Sequence, residues 1–404
     1  MDDKELFLKF TKQLSDWSLT GKEPELADWD TRAYLDLQEK RLKSKGLKRH
    51  FDFDATTKVY KVGDFALGLL LNGYNKRVNY AVGHKKVEYF IGKKRIGKMK
   101  KEVPFYQMIR QPDTKNDDWK QDTYVCPNCG NIEKIEKFEM EGCQYCGTNF
   151  IVSELYPKVT NFYSIDSGAE RKISFGRVIA IGIVSFVLAL LAGGVYFKTQ
   201  ELQFSVYILF GFLWAIFWAI GLFFSPVIFE IQESSRVTKG SVGAKRKIST
   251  KLKKYDETFC YDYFEGKALS LLRMIVFAEN PNEYIQYHGN DLSPKFQDIV
   301  DMDYCGAFGV EKIQEVDDYV EVTLKVFMKN TYFTDKKCKK RNDDMFIRMR
   351  HNTKWRVQPE FSIVKVACHS CGGSFDATKH RNCPFCQNEY DTGIDDWIVM
   401  DIHL

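Results

Sequence analysis

Eight of the eleven cysteines in this 404-residue chain fall in paired knuckles, Cys126-Pro-Asn-Cys129 with Cys143-Gln-Tyr-Cys146 and Cys368-His-Ser-Cys371 with Cys383-Pro-Phe-Cys386. Two thiols three positions apart can turn onto one ion, and two such pairs make a complete four-thiolate set. The 13 and 11 residues between the pairs suit small zinc ribbons. Four thiolates close the coordination sphere of Zn2+ and leave no position for an activated water, so the spacing predicts two structural sites. Disulfides are the rival reading, disfavoured by a reducing compartment; iron in a rubredoxin-like site normally has its pairs farther apart. His369 and His380 lie inside the second set and read as surface residues. Cys260, Cys305 and Cys338 stand alone, and the lysines around Cys338 predict a lowered thiol pKa there.

The elements that would position these sites begin with two apolar runs. Val178 to Phe197 and Phe204 to Phe229 hold no charged residue over 20 and 26 positions, against about 20 needed for a membrane-spanning helix. Basic residues flank them: Arg171, Lys172 and Arg177 before, and Arg236 through Lys254 after, with Lys198 alone between. The reading is a transmembrane hairpin with both termini cytosolic. Small residues recur every fourth position at Ser185, Ala189 and Gly193 and at Gly211, Ala215 and Ala219, predicting close helix packing. No intramembrane acid, His or Lys marks an ion path, so the hairpin reads as an anchor. Trp214 and Trp218 share one face of the second run.

Around that hairpin the chain divides into 1–120, an α+β segment; 121–160, the first ribbon; 174–230, the hairpin; 231–256, a basic linker; 257–366, helices followed by long strands; and 367–404, the second ribbon with a terminal strand. Leu6, Phe10, Leu14 and Trp17 stripe one helix, and a second runs from Glu25 to Lys45. Val78–Val82 and Val87–Ile91 read as a β-hairpin turning across Gly83–Lys86. Alternation at Val320, Val322, Leu324 and Val326 predicts a strand with one face buried. Net charge is a modest +5, concentrated in the linker and in Gly92–Lys101, which reads as lipid contact more than nucleic-acid contact.

Tyr124–Gly130, Gly142–Phe150 running into Leu155–Val159, the apolar hairpin, and Cys368 to Cys386 closing on Asp396-Trp-Ile-Val-Met400 together resemble a family. It is that of bacterial membrane proteins carrying zinc ribbons and a Tim-forty-four-like domain, akin to a subunit of the mitochondrial inner-membrane translocase. The resemblance covers about residues 120–404 and implies an α+β fold, with a cone-shaped helix-on-curved-sheet domain like nuclear transport factor two. It also implies a setting in the bacterial cytoplasmic membrane.

The functional expectation is a membrane-anchored scaffold that recruits a protein partner or assists a transport process at the cytoplasmic face, through a concave surface near Tyr319–Met328 and Met345–Met349. It is not expected to be an enzyme. Two alternatives stand beside it: an enzyme using Asp262, Asp303 or His351 in a pocket of the sheet domain, and a nucleic-acid-binding regulator using Lys379, His380, Arg381 and Phe385 of the second ribbon. The sequence sets no oligomeric state.

Overall fold

The computed structural model describes residues 2–61, 76–110, 158–165, 243–256, 261–354 and 397–404, parts of 123–147 and 365–390, and a few positions between 183 and 259. Residues 1–166 and 241–404 form one compact unit, and 167–240 a second.

Helix α1 (Asp3–Thr20) starts where the Asp2 carboxylate accepts from the Glu5 amide at 2.6 Å and stops at Gly21, whose φ of 75° lets its amide turn back to Trp17. Its buried face is Leu6, Phe7, Phe10, Leu14 and Trp17. Burying such side chains is worth on the order of 2 kcal/mol each, against about 1 for the cap, so packing decides where the helix lies. The Phe7 ring meets Phe53 and Phe105 edge-on at 6.1 and 6.0 Å. Helix α2 (Trp29–Ser44) is capped by Asp28, which accepts from Thr31.

These helices cover an antiparallel sheet with the order β1 (Leu47–Ala55), β3 (Lys76–Ile91), β4 (Lys94–Arg110), β7 (Lys158–Ser164), while the short β2 (Tyr60–Lys61) pairs with the start of β3. Strand β3 runs unbroken through Gly83–Lys86, so the expected turn there is corrected; the chain reverses at Gly92-Lys93 instead. Gly83 marks a close approach, not a turn: a Cβ there would lie 2.4 Å from the Asp54 carbonyl oxygen of β1.

A second antiparallel sheet has the order β13 (Ile398–His403), β10 (Lys337–Asn352), β9 (Tyr319–Thr334), β8 (Ile299–Val316). The ribbons supply β5 (Thr123–Val125) with β6 (Ile132–Lys134), and β11 (Lys365–Ala367) with β12 (Ser374–Asp376). Val320, Val322, Leu324, Val326, Met345, Ile347 and Met349 are all buried, so the side chains expected to line a concave binding surface fill the core. The expected linker contains helix α3 (Ala244–Leu252), which buries Ile248 and Leu252 against that core.

The expected transmembrane hairpin is not found, and all but five of residues 174–230 lie outside the described residues. No helix among the described residues is long and apolar enough to cross a membrane, and the described regular structure is mostly strand. The two-span lipid partner and the multi-pass placement in a bacterial cytoplasmic membrane lose their support with it. An uncharged run is necessary for a span but does not impose one. Helix α4 (Tyr261–Phe277) shows the other outcome: it is apolar because protein encloses it, with Leu269, Leu271, Leu272 and Ile275 buried and Arg273 donating to the Phe162 carbonyl at 2.7 Å. Of residues 167–240, Ile183, Leu209, Leu213, Trp214 and Ile216 are described, and all five are exposed. Trp218 and the small-residue stripes lie outside the described residues.

One core joins the two large sheets, and a polar seam crosses it. From α2, Gln38 donates to Asp301 at 3.0 Å, and Arg41 reaches the carbonyls of Phe296 and Val276 at 2.9 and 3.0 Å. Arg49 of β1 and the Tyr89 hydroxyl of β3 both donate to Asp301, at 3.0 and 2.8 Å. Lys85 of β3 pairs with Asp303, which Lys340 of β10 also reaches, at 3.1 Å. Burial works to raise the Asp303 carboxyl, but the Lys85 and Lys340 ammoniums outweigh it and hold it well below the usual carboxylate range; Arg49 does the same for Asp301.

Removing one member of a buried pair strands the other charge. Asp303→Ala is therefore expected to cost about 3–5 kcal/mol, read by denaturant unfolding, with part recovered in Asp303→Ala/Lys85→Met. Because both acids have depressed values in the folded state, their contribution is complete above the unfolded aspartate value near ~4. It is lost as pH falls below that toward the folded values, so unfolding midpoints measured against pH should drop on the acid side and be flatter in the double variant.

Candidate metal centres

The two cysteine tetrads come together as their spacing predicted. In each, one sulfur from every residue lies within 4.8 Å of all the others. The cross-knuckle pairs are Cys126 to Cys146 at 3.8 Å, Cys129 to Cys143 at 3.5 Å, Cys368 to Cys386 at 3.6 Å and Cys371 to Cys383 at 3.6 Å. A tetrahedral ion with sulfurs at about 2.3 Å sets those edges near ~3.8 Å, whereas a disulfide needs about 2.05 Å. The thiols are free, and the arrangement can hold a metal ion.

The two sites are built alike. Each first knuckle sits at the end of a two-stranded hairpin, between β5 and β6 or between β11 and β12. In three knuckles the amide of the leading cysteine donates to the carbonyl five residues on: Cys126 to Asn131, Cys368 to Gly373 and Cys383 to Asn388, at 2.7 to 2.9 Å. That bond folds the loop back so that later amides face sulfur, as the Asn131 amide does toward Cys129 at 3.5 Å. Burial pushes the Cys129 thiol up, to about 12; the Asn131 amide pulls the other way, and the three neighbouring thiols add to the rise. Four sulfurs this close cannot all ionise without a cation among them.

The second ribbon is tied to the main unit. Ile285 packs with Val366, Phe375, Tyr390 and the buried Cys368 and Cys383. Arg381 donates to the carbonyls of Asn282 and Tyr287, both at 2.9 Å, and the next residues bridge to β13 through His288 and Val399 at 2.9 Å. Arg381, read from sequence as a nucleic-acid contact, is thus spent on the protein's own backbone. His380 and Phe385 are exposed; Lys379 and His369 lie outside the described residues.

Of the three residues named for an enzyme, Asp303 and His351 have separate surroundings. Asp303 is enclosed by Lys85, Lys340 and Ser164. His351 is buried, with Nδ1 2.7 Å from the Asn352 carbonyl oxygen and its ring 5.3 Å from Trp397. Asp262 lies on α4, its side chain outside the described residues. Trp397, the terminal tryptophan of the motif reading, is buried 5.0 Å from Phe264. Cys338 corrects an expectation: burial, with the Asp301 charge adding, pushes its thiol up to about 11, because it faces inward while the adjacent Lys337 and Lys339 face solvent.

Sequence reasoning missed the Asp301–Asp303 seam. Its one legible sign was the acid-apolar alternation Asp301-Met-Asp303 in a segment otherwise reading as buried strand.

No family model, curated protein or solved structure matches the chain. The resemblance to Tim-forty-four-like membrane proteins therefore rests on the motifs alone.

Cys383→Ser is expected to remove one metal equivalent of two, measured by elemental analysis of the purified chain. Amide exchange should then rise at 281–288, through Ile285 and Arg381, while α1 stays protected. Since thiols must lose protons to bind, acid should release the metal and alkali should not.

Proposed function

We propose that this chain is a non-catalytic interaction protein whose two ribbons each hold a structural zinc ion and present a contact surface to a protein partner. The observation that carries the reading is a shared display. The third residue of each second knuckle is an aromatic held out to solvent, Tyr145 at 65% exposure and Phe385 at 59%. Aromatic side chains are the usual anchors of protein interfaces, and a rigid base lowers the entropy cost of using them. The Phe385 ring is seated on its own ribbon: a Cβ on Gly373 would come within 2.5 Å of it. The closed thiolate sets and the apolar filling of the β9–β10 face support a scaffold role over chemistry. Zinc is favoured over iron by the short interval between knuckle pairs.

Elemental analysis of the chain as purified should find zinc near two equivalents; iron in its place would refute the metal assignment. For the partner, tagged wild-type protein and a Tyr145→Ala/Phe385→Ala variant would be recovered from the native source under the same conditions. The variant should keep its zinc and melting temperature but lose at least one co-purifying protein. An unchanged set of co-purifying proteins would refute the contact role of the two rings.

A further inference from the structure

Two basic runs 240 residues apart in sequence are brought to one place by the fold. The β3–β4 hairpin turns at Gly92-Lys93 and the β9–β10 hairpin at Asp335-Lys336. A Cβ on Gly97 would lie 3.4 Å from the Cβ of Cys338, and two residues further along both strands Lys340 touches Met99. Strands β4 and β10 therefore leave their turns in step and in the same direction, so the two hairpin tips share one end of the unit. Lys93, Lys94, Lys98 and Lys100 project from the first hairpin, and Lys336, Lys337 and Lys339 from the second; all are exposed. Among the described residues none of these seven has an ion-pair or hydrogen-bond partner. The one exposed acid in the two turns is Asp335.

The strand pairing continues this surface into a pocket. Across the outer face of the first sheet run three rows: Asp52, Lys86, Lys100; His50, Glu88, Lys98; and Lys48, Phe90, Arg95. The His50 and Phe90 rings lie 4.6 Å apart, both partly exposed. The pocket beside them, of about 300 Å³, is lined by His50, Asp52, Lys86 and Glu88 with Ser15 and Leu19 of α1 and does not include Phe90; it is at the small end of the range for ligand sites.

We propose that the joined hairpin tips bind single-stranded nucleic acid, with the lysines on its phosphates and a base stacked on the partly exposed His50–Phe90 ring pair. Clustered, unpaired lysines neutralise a polyanion without needing apolar anchors, and no large exposed hydrophobic residue lies in these hairpins. That disfavours an acidic protein, whose binding would call for such anchors. The lysines leave the tips in several directions, because Lys98 and Lys100 face away from β10 while Lys337 and Lys339 face away from β4. A flexible strand can follow them, whereas a flat bilayer or a stiff duplex meets only part of the set. Aromatic rings beside a cationic track are the arrangement that holds unstacked bases. The site is separate from both ribbons and does not depend on their proposed role.

The test is fluorescence anisotropy with a labelled single-stranded oligonucleotide of mixed sequence and the full zinc-loaded chain, across a salt series. Lys98→Gln/Lys100→Gln and Lys337→Gln/Lys339→Gln, all at exposed positions, should each weaken binding about tenfold or more. Each should also flatten the salt slope by about 1.4, two contacts at about 0.7 each. His50→Ala should weaken binding and leave the slope unchanged, which separates the base contact from the phosphate contacts. Melting temperatures should match wild type. Wild-type affinity and slope in both lysine pairs would overturn the proposal, as would tighter binding to the matched duplex or to vesicles containing phosphatidylserine.

Discussion

The main unit depends on two aspartates, Asp301 and Asp303, that β8 carries into the space between its sheets. Each is 4% exposed, and an isolated carboxylate so placed costs several kcal/mol. The cost is met from both sides: Arg49, Lys85 and Tyr89 come from the first sheet, Gln38 from α2 and Lys340 from the second. Apolar contact alone would let one sheet slide over the other at little cost. Charges at fixed intervals along a strand do not, since a one-residue slip would turn Lys85 to solvent and strand Asp303. The seam thus acts on relative position more than on net stability, consistent with the near-balance expected of buried ion pairs.

Period-two geometry also explains what the sequence did and did not disclose. Helix α1 and the buried face of β9 were legible, because apolar spacing of 3.6 or 2 is a local signal. The tetrads were legible because four thiols at knuckle spacing have few other uses. The seam was not, since most of its partners lie over 200 residues apart and each reads locally as an ordinary surface residue. Cys338 misled for a related reason. Its flanking lysines are neighbours in the chain, but in a strand neighbours point to opposite faces, so it lies with Asp301 instead. The apolar runs are ambiguous in sequence because length and lack of charge are shared by membrane spans and by helices that protein encloses, as α4 is.

The second ribbon shows how a small metal site can govern a larger surface. Its cysteines form the floor on which Ile285 and Tyr390 pack, and Arg381 ties the same loop to a segment paired with β13. Strand β13 in turn completes the second sheet through β10. A chain of direct contacts therefore leads from the thiolates to β10, the strand that supplies Lys340 to the seam. Without an ion the sulfurs of that floor repel on ionising or stay protonated, and in neither state is there a bond across the two knuckles.

Strand parity finally settles how one lysine-rich sequence can serve two physical ends. In β3, Lys85 points inward to Asp303 while Lys86 points outward to Glu88; in β10, Lys340 points inward and Lys337 and Lys339 outward. Read locally, each of these two stretches is simply basic. Folded, each inward lysine is neutralised by Asp303, and of the outward ones Lys86 pairs with Glu88 while Lys337 and Lys339 have no counter-charge among the described residues. Like charges gathered at one end repel, and salt screens that repulsion beyond a Debye length. The buried pairs fix where the two hairpins sit, so the seam inside the tips sets which lysines stand outside them.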